Sequence, residues 1–252
     1  MTENMTVLIT GASGTLGSAV APRLAKEGYE PRPMSRSARP GWVTADLRAG
    51  VGLAAAVREV DAIVHLASSP GRPQLTDVEG TRHLLTEAEA AGVRHVLYVS
   101  IAGVDRIPYR YYRAKLETEA VVRASGVPYT ILRATQFHPF ADLLLRAAGR
   151  LGPVIIDPEW RLQPVAVEDV ADRIADLLAG PAFGETSEFG GPEVFTGREL
   201  ARTWLAARGS RRPLWGVRLP GRISRAVRDG GLTAAGNVTG TRTWRDYLAE
   251  KY

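Results

Sequence analysis

Residues 5–28 read MTVLITGASGTLGSAVAPRLAKEG, and this stretch decides the fold. An apolar run typical of a buried strand leads into Gly11, Gly14 and Gly17, and an amphipathic pattern typical of a helix follows at once. Such a turn leaves backbone N–H groups at the positive end of a helix dipole, where a pyrophosphate binds well. Glycine at these positions allows the tight turn, the approach of phosphate and the close packing of helix on strand. We therefore predict a dinucleotide site, with a ligand-free glycine turn as the alternative, formed by Gly11, Ser13, Gly14, Thr15, Leu16 and Gly17.

The composition is that of a globular protein. With 252 residues, 45% of them hydrophobic and 23% charged, the chain is long enough to bury the core of one α/β domain with an extension. It has no cysteine, and its four histidines show no metal-binding spacing, so we predict neither disulfides nor a metal site. No apolar run reaches membrane-spanning length and no signal peptide precedes the first strand, so we expect a cytoplasmic protein without a membrane partner.

The formal charge of +5 comes almost entirely from arginine, with basic clusters at residues 32–39 and 208–228. These clusters are interpreted as solvated surface, or, for the first cluster, as a binding site for a cofactor phosphate. No nucleic-acid-binding motif accompanies the charge, so we predict no nucleic-acid partner.

Strand and helix patterns alternate along the first half of the chain. This alternation predicts an α/β fold, a Rossmann-type doubly wound parallel sheet with a small C-terminal substrate segment. Strands are expected at residues 5–10, 29–34, 42–45, 61–66, 94–100 and 128–133. Helices are expected at residues 15–27, 51–58, 74–91 and 109–125. We place the dinucleotide-binding core at residues 1–135 and the substrate segment, with return elements to the core, at residues 136–252.

Proline and glycine become frequent beyond residue 135, which predicts shorter elements. Strands are expected at residues 154–156, 161–167 and 187–191, and helices at 137–148, 168–179, 197–208, 220–228 and 241–250. The loop at 229–240 is predicted to be flexible and is a candidate lid. Trp204, Trp215 and Trp244 are expected to pack inside this segment.

The end of the second predicted strand indicates which cofactor binds. An acid there would bind the ribose hydroxyls of NAD, whereas this strand ends in Ser35 and Arg36, with Ser37 beside them. A guanidinium and hydroxyls suit a 2′-phosphate, so we favour NADP(H) over NAD(H). Asp46, followed by Leu47, comes after the third strand, where its carboxylate is placed to accept the adenine amino group or to cap a helix.

A candidate proton-transfer site follows the fifth strand. Tyr111 and Lys115 are four residues apart in a predicted helix and therefore share a face, and Ser100 lies at a nearby strand end. An ammonium close to a phenol lowers the pKa of the phenol, which then exchanges a proton with a substrate oxygen that Ser100 holds. Two alternatives stay open: Tyr112 is the acid, or Lys115 is a solvated lysine paired with Glu119.

These motifs together resemble those of the atypical short-chain dehydrogenases/reductases, and more narrowly those of the NmrA-like, NAD(P)H-binding group. The resemblance spans nearly the whole chain and is carried by Gly11–Gly17, His65–Ala67, Val99–Ser100, Tyr111–Lys115, Ile131–Arg133, Thr135–His138, Gln163–Val165, Glu168–Ala171 and Gly240–Trp244. It implies a Rossmann fold whose cofactor contacts include Leu66, Ala67, Ser68 and Lys115. The group contains quinone, azo and ketone reductases as well as regulators that bind dinucleotide without turnover.

We assign substrate contacts to Tyr112, Phe137 and His138, with a structural, backbone-bonded His138 as the alternative. The first functional hypothesis is an NADP(H)-dependent reductase acting on a carbonyl, a quinone or a related conjugated organic molecule. The others are a redox-sensing regulator that binds NADP(H) without turnover, and an isomerase or dehydratase with a bound nucleotide. The expected partner is a small organic substrate, and the expected state is a monomer or a homodimer.

Overall fold

The computed structural model describes residues 5–236 and 239–252. The strands are β1 (Thr6–Thr10), β2 (Glu30–Ser35), β3 (Val43–Thr44), β4 (Ala62–His65), β5 (His95–Ile101), β6 (Tyr129–Ala134), β7 (Val154–Ile156), β8 (Arg161–Leu162), β9 (Thr186–Phe189), β10 (Phe195–Thr196) and β11 (Leu214–Gly216). The helices are α1 (Gly17–Lys26), α2 (Leu53–Ala56), α3 (Gly80–Ala90), α4 (Arg110–Arg123), α5 (His138–Ala148), α6 (Val167–Ala179), α7 (Gly197–Ala207), α8 (Arg222–Arg228) and α9 (Trp244–Lys251). A π-helical segment, Gln74–Glu79, runs directly into α3.

The main sheet has seven strands in the order β3-β2-β1-β4-β5-β6-β9. The pairs β2–β3, β1–β2, β1–β4 and β4–β5 are all parallel. The strand order reverses between β1 and β4, which is where a doubly wound sheet opens its ligand crevice at the carboxyl ends of the strands. The predicted fold class is confirmed.

Burial on both faces explains why the central strands are continuous apolar runs. All five residues of β1 and all four of β4 are buried. Leu8, Ile63 and Val96 from three neighbouring strands join Leu84 of α3 in one hydrophobic core. β1, β4 and β5 pair in parallel, so their carboxyl ends lie at the same edge of the sheet.

The chain forms two compact units. The first contains the described residues up to Ser100 together with Arg110–Leu132 and Val170–Ser187. The second contains Ile101–Tyr109, Arg133–Asp169 and the described residues from Glu188 onward. The predicted division had one boundary after residue 135, with return elements from the second part to the core.

The second unit contains two small sheets, β8–β10, which is antiparallel, and β7–β11, which is parallel. Its helices α7 and α9 both begin with a capping box, Thr196 with Glu199 and Thr243 with Asp246. Trp204 and Trp244 are buried as expected, but Trp215 is 55% exposed, so its predicted packing was wrong.

Several element boundaries differ from the predictions. The helix predicted from residue 74 begins as the π-helical segment, and α2 has only four residues. The strand predicted at 161–167 is limited to β8, and β10 and β11 were not predicted. Part of the candidate lid, Asn237 and Val238, lies outside the described residues. Within the described ranges, the structure contains no helix whose length and apolar character would let it cross a membrane.

Candidate functional site: a dinucleotide cleft with a buried lysine–aspartate pair

The turn between β1 and α1 accepts only glycine at two of its three positions. Gly11 has a φ of +68°, and a Cβ on it would lie 2.7 Å from the backbone nitrogen of Ala67. A Cβ on Gly17 would lie 2.4 Å from the carbonyl oxygen of Gly11. Gly14 has more room, with its nearest neighbour at 3.2 Å. The turn therefore packs tightly against β4 and against the start of α1, as the glycine pattern indicated.

The outer side of the turn is open to solvent. Ser13, Gly14 and Thr15 are exposed, whereas Leu16 and Gly17 are buried at the start of α1. No side chain caps the N-terminus of α1. An uncapped helix end with exposed backbone beside it presents a positive electrostatic potential to an anion.

A cleft of about 380 Å³ extends from this turn within the first unit. It is lined by the turn, the end of β2, the loop after β3 and the end of β4. Ten of the predicted cofactor residues line it, namely Gly11, Ser13, Gly14, Ser35, Arg36, Asp46, Leu47, Leu66, Ala67 and Ser68. The structure thus brings together residues from four separate stretches of sequence.

One end of the cleft is strongly basic. Arg36, predicted at this position, is joined on the cleft wall by Arg39 and Arg48, which were not among the predicted site residues. No ion pair of these three arginines is found within residues 5–236 and 239–252. The Arg39 guanidinium lies 5.0 Å from the centre of the Trp42 ring, and Arg48 Nε is buried without a hydrogen-bond partner in the described part of the chain. We name this set of three side chains the arginine cluster.

The position of Asp46 removes one of its two predicted roles. Its carboxylate Oδ1 accepts a hydrogen bond from the Arg48 backbone N–H at 2.8 Å, which closes a local turn beside the cleft. The N-cap of α2 is Gly52, so the helix-cap interpretation of Asp46 was wrong. Its predicted contact with adenine stays a prediction.

Tyr111 and Ser68 meet through their hydroxyl groups. Tyr111 Oη lies 2.5 Å from Ser68 Oγ, and Ser68 also lines the cleft. Ser68 Oγ donates to Oδ1 of Asp77 at 2.5 Å, and the Ser69 backbone N–H donates to Oδ2 at 3.0 Å. Asp77 lies in the π-helical segment, is only 1% exposed, and was not among the predicted site residues.

Lys115 is buried close to the same carboxylate. Its Nζ donates to the Val99 carbonyl oxygen at 3.0 Å, lies 3.9 Å from Asp77 Oδ1 and 4.3 Å from the centre of the Tyr98 ring. Burial lowers the pKa of Lys115 to about 8, although the carboxylates of Asp77 and Glu119 oppose that shift. At 3% exposure Lys115 is not the solvated lysine of the alternative hypothesis.

Two further polar side chains lie buried around this pair. Ser100, on β5, has a buried Oγ without a hydrogen-bond partner in the part of the chain that the structure describes. His65 bonds through its ring nitrogens to Thr10 Oγ1 at 2.6 Å and Thr81 Oγ1 at 2.8 Å. Burial, assisted by the charge of Lys115, lowers the pKa of His65 to about 3, so its ring is neutral. His65 is therefore a structural residue, whereas Ser100 retains an unused hydroxyl.

The predicted substrate contacts Phe137 and His138 belong to the second unit. His138 is buried, its backbone N–H donates to the Val165 carbonyl, and its ring centroid lies 5.6 Å from that of Trp244. Burial lowers the pKa of His138 to about 4, so its ring is neutral at pH 7. Whether these two side chains or Tyr112 contact a substrate stays a prediction.

The strand order, the glycine turn and the cleft define a Rossmann-type dinucleotide-binding protein. The chain belongs to the NAD(P)H-binding family, whose model matches residues 11–181. This match confirms the NAD(P)H-binding group that the sequence motifs indicated.

Curated relatives and solved structures agree with this family. The chain is 31% identical over 206 residues to a (4-alkanoyl-5-oxo-2,5-dihydrofuran-3-yl)methyl phosphate reductase of Streptomyces griseus, with 77% of this chain and 70% of that protein covered. It is 28% identical to a ceramide reductase of Caulobacter vibrioides over 71% of this chain, a match that spans only 62% of the relative.

An NADPH-dependent quinone oxidoreductase of Escherichia coli, solved with NADPH, has the same fold. It superposes with a TM-score of 0.81 at 22% identity, covering 97% of this chain and 99% of that one. A triphenylmethane reductase of Citrobacter superposes with a TM-score of 0.83 at 19% identity, covering 98% and 99%.

Proposed function

We propose that this protein is an NADP(H)-dependent reductase of the atypical short-chain dehydrogenase/reductase type, acting on a carbonyl, quinone or related conjugated small organic substrate. The observation that carries the proposal is Ser68, which lines the dinucleotide cleft and hydrogen-bonds the Tyr111 hydroxyl. A proton donor is therefore linked to the wall of a site built for a dinucleotide. The names of the relatives, two of them reductases and one a quinone oxidoreductase, agree with this chemistry.

Two parts of the cleft support the choice of NADP(H), one for the diphosphate and one for the adenosine. Exposed backbone at Ser13, Gly14 and Thr15, next to the uncapped start of α1, suits the pyrophosphate. The arginine cluster, with the hydroxyls of Ser35 and Ser37, offers charge-assisted hydrogen bonds to a 2′-phosphate. Arginines without a carboxylate partner favour a phosphate over a bare hydroxyl, which is the basis for preferring NADP(H) to NAD(H).

The chemistry that bound NADPH supplies is a hydride for the substrate carbon. Tyr111 then donates its hydroxyl proton to the substrate oxygen, and the unused hydroxyl of Ser100 holds that oxygen. The buried ammonium of Lys115 donates a hydrogen bond to the Val99 carbonyl oxygen and contributes a positive charge to the surroundings of the phenol. We further expect a cytoplasmic monomer or homodimer.

Cofactor binding and turnover test the proposal separately. Fluorescence titration of the purified protein with NADPH and with NADH is expected to give tighter binding of NADPH. NADPH oxidation, followed at 340 nm with a panel of quinones and ketones, is expected to reveal a substrate. Tight NADPH binding without turnover of any panel member would instead support a redox-sensing regulator, and absence of binding of both nucleotides would overturn the proposal.

A further inference from the structure

The carboxylate of Asp77 is a buried charge at the centre of the reactive end of the site. It receives hydrogen bonds from the Ser68 hydroxyl and the Ser69 backbone N–H, and the Lys115 ammonium lies 3.9 Å away. A buried charge is stable only where donors and a counterion surround it, and Asp77 has both. It lies in a π-helical segment, a departure from regular α-helix that is frequent at functional sites.

The hydrogen bonds of Ser68 have a fixed direction. A carboxylate only accepts hydrogen bonds, so the single hydroxyl proton of Ser68 is donated to Asp77. Ser68 Oγ is therefore left as the acceptor for the Tyr111 hydroxyl, which lies 2.5 Å from it. Asp77 thus orders the chain of hydrogen bonds so that Tyr111 carries its proton.

A phenolate at Tyr111 would conflict with this arrangement. The phenolate, like Asp77, would only accept hydrogen bonds, and Ser68 has one proton for the two of them. One of the two anions would lose a donor, and the two negative charges would be separated by a single hydroxyl group. The negative charge of Asp77 therefore favours the neutral phenol.

Other titratable groups in the described part of the chain also lie near the phenol. On α4 they include Tyr112, whose ring centroid is 6.2 Å from that of Tyr111, and Lys115, and on β5 they include Tyr98. The ammonium of Lys115 lies 3.9 Å from Asp77 Oδ1. Its field at the phenol is offset by the carboxylate, unlike that of an isolated lysine.

We propose that Asp77 is a positioning residue that holds Tyr111 in its protonated form at neutral pH, the form from which Tyr111 donates a proton when a substrate is reduced. The inference rests on the proposed reductase function. During reduction the O–H bond of Tyr111 breaks and an O–H bond forms on the substrate oxygen. Tyr111 then regains a proton from solvent, which reaches it at the exposed hydroxyl of Ser68.

The test is a pH titration of the tyrosine signals of the cofactor-free protein by NMR, with ¹³Cζ-labelled tyrosine. The Tyr111 signal is identified by its loss in Tyr111→Phe. In Asp77→Asn the midpoint of the Tyr111 titration is expected to fall by about one to two pH units, because the neighbouring charge is removed. An unchanged or higher midpoint would overturn the assignment.

Glu79→Gln is the matched control, because Glu79 lies in the same π-helical segment but has a side chain that is 44% exposed and within 3.7 Å of Arg82. It removes one negative charge and is expected to leave the Tyr111 midpoint unchanged; a shift equal to that of Asp77→Asn would overturn the proposal. If Asp77→Asn does not fold, Ser68→Ala is used, and a smaller fall of the midpoint is expected because the acceptor of the phenol proton is removed. No fall in Ser68→Ala would count against the proposal.

Turnover separates this inference from the proposed function. In Asp77→Asn the rate of substrate reduction is expected to decline at lower pH than in the wild type, with the KM for NADPH unchanged. A lower Tyr111 midpoint in a protein that reduces no substrate would overturn the reductase function and leave the electrostatic role of Asp77 supported. Active reductase with an unshifted midpoint would overturn the role of Asp77 alone.

Discussion

Two regions of the first unit hold their charges in opposite ways. At the proposed adenosine end of the cleft, the arginine cluster lines the wall, and no carboxylate pairs with its members in the described part of the chain. At the proposed reactive end, Lys115 and Asp77 are buried together, with side-chain exposures of 4% and 0%. The first arrangement presents charge to a ligand, whereas the second keeps charge away from solvent and acts on neighbouring side chains.

This contrast separates recognition from chemistry. Arg36 and Arg39 are exposed and stay hydrated when no phosphate is bound, and salt screens their attraction for a phosphate. Buried charges resist screening, and removing one of them leaves the other unpaired at high cost. Changes at the two ends should therefore alter different measurements, namely cofactor selectivity at one and proton transfer at the other.

The largest effect is expected at the reactive end from Tyr111→Phe, which removes the proposed proton donor. Turnover should fall by about 10²–10⁴-fold, the contribution of a positioned general acid. The Kd for NADPH should not change, because the arginine cluster and the glycine turn are untouched. Steady-state NADPH oxidation and fluorescence titration measure the two quantities.

Tyr112→Phe is the matched control, since Tyr112 is the adjacent residue on α4 and the alternative acid. It should cost much less turnover than Tyr111→Phe. If Tyr112→Phe causes the greater loss, the acid is Tyr112, and the link from the cleft wall through Ser68 is not the proton path.

The next effect concerns the turn on which both ends depend. Gly17→Ala places a Cβ 2.4 Å from the Gly11 carbonyl oxygen, in contact with backbone that cannot rotate away. We expect the free energy of unfolding in urea to fall by about 1–3 kcal/mol, the usual cost of overpacking. Gly14→Ala, where the nearest atom is at 3.2 Å, should cost less; equal losses would contradict the described packing of the turn.

At the adenosine end, Arg36→Ala should weaken NADPH binding by about 10–100-fold, as expected for the loss of charge-assisted hydrogen bonds to a phosphate. Binding of NADH should change little, because NADH has no 2′-phosphate. The preference for NADPH should also decline as salt is raised, unlike the effect of Tyr111→Phe. Fluorescence titrations at two ionic strengths measure all three.

Arg202→Ala is the control for Arg36→Ala, because it removes the same charge from an exposed position on α7 in the second unit. It should leave both nucleotide affinities unchanged. An equal weakening of NADPH and NADH in Arg36→Ala would show that Arg36 does not read the 2′-phosphate.

The sequence predicted the first unit far better than the second. The patterns that indicate the first unit lie within short consecutive stretches of the chain, whereas those of the second unit depend on pairing between distant segments. β1 and β4 are buried on both faces and read as continuous apolar runs, and the glycines beside them are fixed by local sterics. β10 and β11 have two and three residues, too few for any periodicity. They exist because distant segments pair with them, which one sequence does not reveal.

Some residues of the predicted site could likewise be placed from the nearby sequence, and others could not. Arg36 follows a strand that the sequence indicated, so its position on the cleft wall could be predicted. Asp77 lies within a predicted helix, but only the structure shows that it is buried, as is Thr81 four residues later. Its partners Ser68 and Lys115 come from other elements, and only the folded chain brings their charges and hydroxyls together.

The smallest expected effect concerns His65. It tests how much free energy is needed to place a positive charge on this buried ring. His65 is buried between Thr10 and Thr81, and its folded pKa of about 3 lies below the ordinary value of 6.5. As pH falls through 6.5, the unfolded chain binds a proton there that the folded chain does not bind until about pH 3. The free energy of unfolding should therefore fall between pH 7 and 5, by on the order of 1–2 kcal/mol for this group.

His65→Gln should remove this contribution, although the variant is less stable overall because it loses a ring bonded on both sides. Urea unfolding at pH 7.5, 6 and 5 should give a shallower fall of stability in His65→Gln than in the wild type, since the remaining fall comes from other groups such as His138. Above pH 7, where His65 is neutral in both states, the two proteins should depend on pH in the same way. Identical slopes below pH 6.5 would mean that His65 accepts a proton in the folded state. In that case a charge is tolerated beside Lys115, and the reactive end is more solvated than its buried side chains indicate.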